Sequence, residues 1–360
     1  APAFSSDQTD YTISASELTK EFTITAQSYR KFYALSVNGT AVQTDGNGTA
    51  TVTVPMADIA NGVLPVVVSY HGYTETTEYR VALKLVPARE ITVVATPTDA
   101  IFCLTDASGE RVFPQENGKY KLLDGSTYYY TLTCNGYVSQ SGSFTVAESD
   151  TITLSLQKAE PNPTVDPDLP AAWPNFRVGP DNNGVVNVKT PRTADEATLY
   201  WATQRGEGYG SSALASPIIV NDWIITSAGT TLYRVNRFTG EVDDTTGTLV
   251  GRSNFNIIPP TYANGMIFVG LSDGRVQAFN ADTLESLWVY QDALRGQPNC
   301  PLVVHDGYLY TGFWNGEEKD ARFVCLSITD EDPAQSNEAK QASWTYTVQG
   351  GFYWAGAYAC

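Results

Sequence analysis

The residues able to do chemistry are few and scattered. His71, in the run SYHGY, and His305, in VVHDG, are the two histidines of the chain, and neither falls in an H-E-x-x-H helix or beside a recognisable nucleophile. Each sits at an expected strand end or turn, so a hydrolytic triad is not indicated. The cysteines Cys103, Cys134, Cys300, Cys325 and Cys360 are widely spaced, with none of the C-x-x-C spacing of a zinc or redox site. Isolated cysteines of this kind read as buried thiols, and whether Cys103 and Cys134 pair is left open by the sequence. Asp181-Asn182-Asn183 offers oxygens, but calcium needs six to eight of them brought together, and the run reads first as turn residues. VNGT at 37–40 and GNGT at 46–49 match the glycosylation acceptor pattern, although Asn-Gly is first a hairpin signal. No catalytic residue and no metal ligand is assigned.

The bulk numbers restrict partners. Hydrophobic content of 42% and charged content of 17% over 360 residues suit a folded, multidomain chain. The formal charge of −17 opposes nucleic acid and anionic membranes, because most of the surface repels a polyanion. No apolar run reaches the length of a membrane-spanning helix. Ala1 in place of methionine reads as a cleaved leader or a boundary within a longer chain.

Helical periodicity is nearly absent, whereas short alternating runs bounded by Gly, Asn and Asp recur, as in ATVTV at 50–54, YTLTC at 130–134 and DTITLSL at 150–156. That pattern predicts an all-β chain. The expected organisation is a β-sandwich over 1–87, a second small β-sandwich over 88–157, a proline-rich linker over 158–171, and part of a β-propeller over 172–360. The propeller follows from an internal repeat. Segments starting at Ala215, Pro259 and Cys300 each carry a Pro-led apolar strand, a polar turn (Asn221-Asp222, Asn264-Gly265, Asp306-Gly307), a second strand, a glycine turn and a third strand. Pro217, Pro260 and Pro301 lie 43 and 41 residues apart, the length of one four-stranded blade. A fourth unit is expected to begin at Ala357, after the acidic stretch TDEDPAQSNEAKQ. Three blades are too few to close a ring, so the open edges should meet further blades or another chain.

Three resemblances sharpen this reading. APAFSSDQTDYTISAS and the strand TETTEYRVALKL resemble the opening and last strand of bacterial cadherin-like β-sandwiches. TPTDAIFCLTDASGERV, with Pro97-Thr98-Asp99-Ala100, and the later NGY resemble the surface-module family named for a Pro-Glu-Gly-Ala (PEGA) motif. WPNFRVGPDNN from Trp173 and Ala278 to Trp288 resemble the pyrroloquinoline-quinone-repeat propellers, whose motif is approximately A-x-D-x-x-T-G-x-x-x-W. Asn280 stands for its Asp and Leu284 for its Gly; in the first blade Asp244 stands at the tryptophan position. The resemblance implies that Trp201, Trp288 and Trp344 dock one blade on the next, a structural role that suits a large ring with one N–H.

The quinone-binding members of that family imply a vicinal cysteine pair and a calcium site, and this chain has no adjacent cysteines. No cofactor is therefore expected. The preferred reading is a non-catalytic secreted or bacterial cell-surface protein whose sandwiches present a propeller for binding a protein, peptide or glycan. The alternative is an alcohol or sugar dehydrogenase using pyrroloquinoline quinone and Ca²⁺, with its catalytic residues largely beyond Cys360. The candidate ligand residues come from connections leading from the fourth strand of one blade to the first of the next, namely Arg205, Tyr209, Arg252, Phe255, Arg295, Tyr353 and Trp354. Recurring guanidiniums and aromatic rings on one face of an acidic protein suit an anionic or sugar-like ligand.

Overall fold

A computed structural model describes residues 4–28, 33–70, 74–147, 149–178, 183–205, 214–252, 258–354 and 356–358. The chain falls into two units: Ala1–Val94 with Thr105–Tyr129 and Ser143–Thr153, and Ala95–Leu104 with Tyr130–Gly142 and Leu154–Cys360. Both are built of strands joined by short turns, and the described helical segments are single 3₁₀ turns.

In the first sandwich a five-stranded sheet runs in the spatial order Asp10–Ser16, Thr76–Val86, Val63–Tyr70, Tyr33–Val37, Thr40–Val42, with its first two strands parallel. Glu21–Gln27 pairs with Thr49–Pro55 as a separate two-stranded sheet. Alternation divides the faces: Val37, Val54, Ile59 and Leu64 are buried, while Thr23 meets Thr53 and Thr25 meets Thr51 at 3.3 and 3.2 Å on the exposed side. The second sandwich has the sheets Arg111–Val112, Ile101–Thr105, Thr127–Thr133, Gln140–Thr145 and Tyr120–Leu123, Ala88–Thr96, Thr151–Ser155. Cys103 and Cys134 are both buried.

Three blades follow. The first is Ile218–Val220, Trp223–Ala228, Thr231–Asn236 and Val242–Thr248, with Ala171–Trp173 added antiparallel to its first strand. The second is Thr261–Ala263, Met266–Leu271, Arg275–Asn280 and Ser286–Gln291, and the third is Val303–His305, Tyr308–Gly312, Asp320–Ser327 and Trp344–Gln349. The central blade is apolar on both faces. Ile267, Val269 and Leu271 pack on the first blade with Ile218, Ile225 and Leu232, whereas Phe268, Trp288 and Tyr290 pack on the third with Leu309, Phe313 and Val324. A side-chain period of two with both faces covered explains the unbroken apolar run MIFV. Each such side chain contributes roughly 1.5–3 kcal/mol on burial.

The acidic stretch lies inside the third blade, between its third and fourth strands, and Glu338–Lys340 pairs in parallel with Trp288–Tyr290 as a fifth strand of the second blade. Lys340 makes this possible: its buried ammonium donates to the Thr329 carbonyl at 2.6 Å, pairs with Glu331 and lies 5.6 Å from the Trp288 ring.

The proline-rich stretch is tied down along all three blades. The Asn162 amide donates to Asp330 at 2.6 Å, the Asn280 amide donates to the Thr164 carbonyl at 2.8 Å, and the Asn221 N–H donates to the Pro170 carbonyl at 2.6 Å. Val165 packs on the core between the second and third blades and Leu169 on that between the first and second.

The motif departures now have physical causes. Asn280 accepts the Asp282 and Thr283 N–H groups through its carbonyl oxygen, as an Asp would, but its amide also donates to Thr164, which an ionised Asp cannot do. Leu284 takes φ 58°, the left-handed region that Gly240 occupies at 73°, and its side chain is buried between the first two blades, which offsets the strain. Where the first blade has Asp244 instead of a tryptophan, Arg234 crosses the junction, donates to the Asp282 carbonyl and covers the Trp223 ring at 4.6 Å.

Candidate functional site

In an antiparallel meander, the turn between the second and third strands and the connection out of the fourth leave the sheet at the same end. On the second blade this brings Arg252, the turn Ser272-Asp273-Gly274 and Arg295 together. The Ser272 N–H donates to the Arg252 carbonyl at 2.7 Å. The Asp273 carboxylate receives the Arg275 guanidinium at 3.0 Å and the Arg295 guanidinium at 3.3 Å. Gly274 is required by this closeness: at φ 71° it passes Arg295 so tightly that a Cβ would stand 2.8 Å from the Arg295 Cα.

A buried carboxylate holds the Arg295 loop. Asp292 accepts the Tyr290 hydroxyl at 3.1 Å and the Leu294 N–H at 2.9 Å, with the Arg322 guanidinium at 3.6 Å, and its carbonyl accepts the Arg295 N–H at 3.2 Å. Burial, reinforced by the Asp292 charge, pushes the Tyr290 phenol well above its usual range, so it stays a donor. Arg295 itself takes φ 54°, a left-handed conformation for a residue with a Cβ, while its side chain remains 64% exposed. An exposed ion pair contributes about 0–1 kcal/mol, so the Arg295 fork can exchange Asp273 for a ligand at little cost.

Beside this loop stands an aromatic shelf. The backbones of Gln297 and Trp314 bond each other in both directions at 2.6 and 2.9 Å, and the Asn315 amide donates to the Leu294 carbonyl at 3.2 Å. The Trp314 ring lies 5.0 Å from Tyr353, which stacks on Trp354 at 5.0 Å and 15°. Tyr353 and Trp354 are 51% and 59% exposed, whereas their neighbour Phe352 turns inward edge-on to Phe323 at 5.1 Å. Trp354 also has a left-handed backbone, at φ 60°.

The structure thus brings Arg252, Arg295, Tyr353 and Trp354 to one end of the second and third blades. Arg205 stands on the first blade, with its guanidinium 5.9 Å from the Tyr233 ring. Tyr209 and Phe255 lie outside the described residues, as do His71, Asp181, Asn182 and Cys360. Asp273, Arg275 and Trp314 were missed by sequence reasoning; the signal was the SDGR turn, which shares its end of the blade with the fourth-strand connections. Trp201 and Trp288 donate to the carbonyls of Arg237 and Ile328 on the following turns, and Trp344 stands opposite Cys325 beside Phe323 and Tyr310.

Among the described residues no three His, Cys, Asp or Glu side chains converge, and Cys300 and Cys325 are buried on separate strands or connections.

Residues 1–84 match the family model of the cadherin-like beta sandwich domain, and residues 194–317 match that of the outer membrane protein assembly factor BamB. The chain therefore combines a cadherin-like sandwich with part of a propeller of the pyrroloquinoline-quinone-like type. Similar solved structures include a europium-containing methanol dehydrogenase, 19% identical with a TM-score of 0.31 over 41% of this chain and 27% of that one. They also include the quinohemoprotein alcohol dehydrogenase ADHIIG from Pseudomonas putida HK5, 16% identical with a TM-score of 0.34 over 51% of this chain and 27% of that one. BamB from Moraxella catarrhalis is 15% identical, with a TM-score of 0.25 over 33% of this chain and 34% of that one. The chain thus spans only 27–34% of the length of these proteins. No curated protein matches it.

Proposed function

We propose that this chain belongs to a non-catalytic protein of the bacterial exterior, secreted or surface-attached, whose sandwich modules present a propeller that binds an extracellular protein, peptide or glycan. The cadherin-like module, with residues 88–157 as a PEGA-type module, serves as the spacer. One observation carries the reading: Arg295, held in a left-handed conformation over the buried Asp292, stands exposed at the same end of the blades as the stacked Tyr353 and Trp354. Exposed arginine and aromatic residues grouped on a rigid loop are the composition of recognition sites. No helix among the described residues is long and apolar enough to cross a membrane.

The test is a panel of purified extracellular glycans, peptides and proteins, read by biolayer interferometry against the wild type and an Arg295→Ala/Tyr353→Ala/Trp354→Ala variant. Equilibrium dialysis with pyrroloquinoline quinone and Ca²⁺ separates the alternative: a bound chromophore that drives dye-linked alcohol oxidation would replace the binding reading with the dehydrogenase.

A further inference from the structure

We propose that the ligand of this face is an acidic polysaccharide, a chain of pyranose rings bearing carboxylates, with one ring on the Tyr353–Trp354 shelf and its carboxylate on Arg295. This deepens the binding reading above and rests on it.

Three observations select this chemistry. The shelf presents aromatic surface to solvent, with Tyr353 and Trp354 half exposed and the Trp314 ring beside Tyr353. The C–H face of a pyranose covers such rings, removing apolar area from water while its hydroxyls stay solvated. At the same end of the blades, the Asp273 carboxylate is shared by two guanidiniums, those of Arg275 and Arg295, and Arg252 is exposed on the adjoining connection. The turn therefore carries a surplus of positive charge within a chain of formal charge −17. The buried Asp292 does not cancel it, because Arg322 stands opposite that carboxylate at 3.6 Å. Glu317, Glu318 and Asp320, with Lys319 among them, occupy the second-to-third-strand turn of the third blade at the same end, where the Gly350 N–H donates to the Lys319 carbonyl at 2.9 Å, so the positive charge is local to the Asp273 turn.

The third observation is the posture of Arg295. Its Nη1 rests on Asp273 at 3.3 Å, and with the side chain 64% exposed the rest of the fork is left to form charge-assisted, paired hydrogen bonds with a second carboxylate. A neutral glucan would use the shelf and leave this fork idle. An acidic peptide would use the fork but would not offer a saturated ring to Trp354. The Asn315 amide donates to the Leu294 carbonyl at 3.2 Å, the Gln297–Trp314 bridge ties the same loop to the Trp314 segment, and the Phe352 N–H donates to the Phe313 carbonyl at 2.9 Å, so hydrogen bonds link the Arg295 loop to the segment that carries Tyr353 and Trp354.

The experiment is isothermal titration of the 360-residue chain with oligogalacturonate and with its fully methyl-esterified form, which keeps the rings and removes the charge. The expected result is saturable binding of the acid, at least about 10-fold weaker binding of the ester, and a strong salt dependence. Arg295→Ala should remove the acid–ester difference, and Trp354→Ala should weaken both ligands about 10-fold or more. Phe238→Ala, which removes an exposed ring on a first-blade turn, should change neither. Each variant is compared at equal melting temperature, since both site residues are exposed. Equal affinity for acid and ester, indifference to Arg295→Ala or Trp354→Ala, or no binding of the acid overturns the ligand assignment. If a peptide or protein of the panel instead binds through these residues, this assignment fails and the binding reading stands; if nothing on the panel binds, both fail.

Discussion

The indole N–H of Trp288 crosses from the second blade to the third and donates to the Ile328 carbonyl at 3.2 Å, with the ring fully buried against Phe268. Trp201 repeats the contact on the first blade, reaching the Arg237 carbonyl at 3.0 Å, and its ring covers Gly240 so closely that a Cβ there would stand 2.6 Å away. Trp288→Ala should therefore destabilise the propeller by about 3–5 kcal/mol through the cavity alone. Trp288→Phe keeps most of the bulk and leaves the Ile328 carbonyl unpaired, at about 1–3 kcal/mol. Urea titrations followed by circular dichroism rank the two; equal midpoints for Phe and wild type would show that the N–H contributes nothing.

Asn280→Asp restores the residue type usual at this position and should nonetheless destabilise, by about 1–3 kcal/mol. The new carboxylate oxygen would face the Thr164 carbonyl, which now receives the Asn280 amide at 2.8 Å. Limited proteolysis at residues 159–170 should speed up in the same variant, because this bond fastens the proline-rich stretch to the second blade.

Asp330 and Glu338 are both held above the ordinary carboxylate range, chiefly by burial, against the pull of the Asn162 amide on Asp330 and of the Asp332 N–H on Glu338. Their folded forms keep a proton more tightly than the unfolded chain does, so their contribution to stability is present at low pH and falls as pH rises through their folded values. Asp106, lowered chiefly by its hydrogen bond with Ser108, acts in the opposite sense below the ordinary range. Asp330→Asn should flatten the decline that begins above the ordinary carboxylate range, about pH 4, and leave the acid limb unchanged. Denaturation midpoints through that decline check it; an unaltered slope would remove Asp330 from the account.

Burial pushes the Cys325 thiol up to about 12. The reactive species is the thiolate, so Cys325 should resist iodoacetamide at about pH 8 in the folded protein and react fully in denaturant. Mass spectrometry of the Cys325 peptide measures both states. Rapid native labelling would mean that the third blade opens at Trp344, which stands opposite Cys325.

Much of the blade architecture was legible because it is local. Asn264-Gly265 and Asp306-Gly307 take left-handed conformations in both residues, as two-residue hairpin turns demand, and the apolar strands flank them directly. The parallel strand Glu338–Lys340 was not legible, since its pairing depends on burying Lys340 against Glu331 and Trp288, a tertiary event with no local signature. The fastening of the proline-rich stretch was equally hidden: proline sets an extended path but carries no information about the Asn280 amide that meets it. At the candidate site the arginines were visible through the repeat. The Asp273 partner and the Trp314 ring lie on second-to-third-strand turns, which only the meander geometry places beside them.

The most direct test of the central claim, that the end of the propeller carrying Arg295, Tyr353 and Trp354 is a binding surface, is the affinity of the panel ligands for the wild type and for the Arg295→Ala/Tyr353→Ala/Trp354→Ala variant at matched melting temperature. We predict saturable binding of at least one ligand by the wild type and a loss of about 10-fold or more in the variant, or about 1.4 kcal/mol. Undiminished binding by the variant, or no binding by either protein, would contradict it.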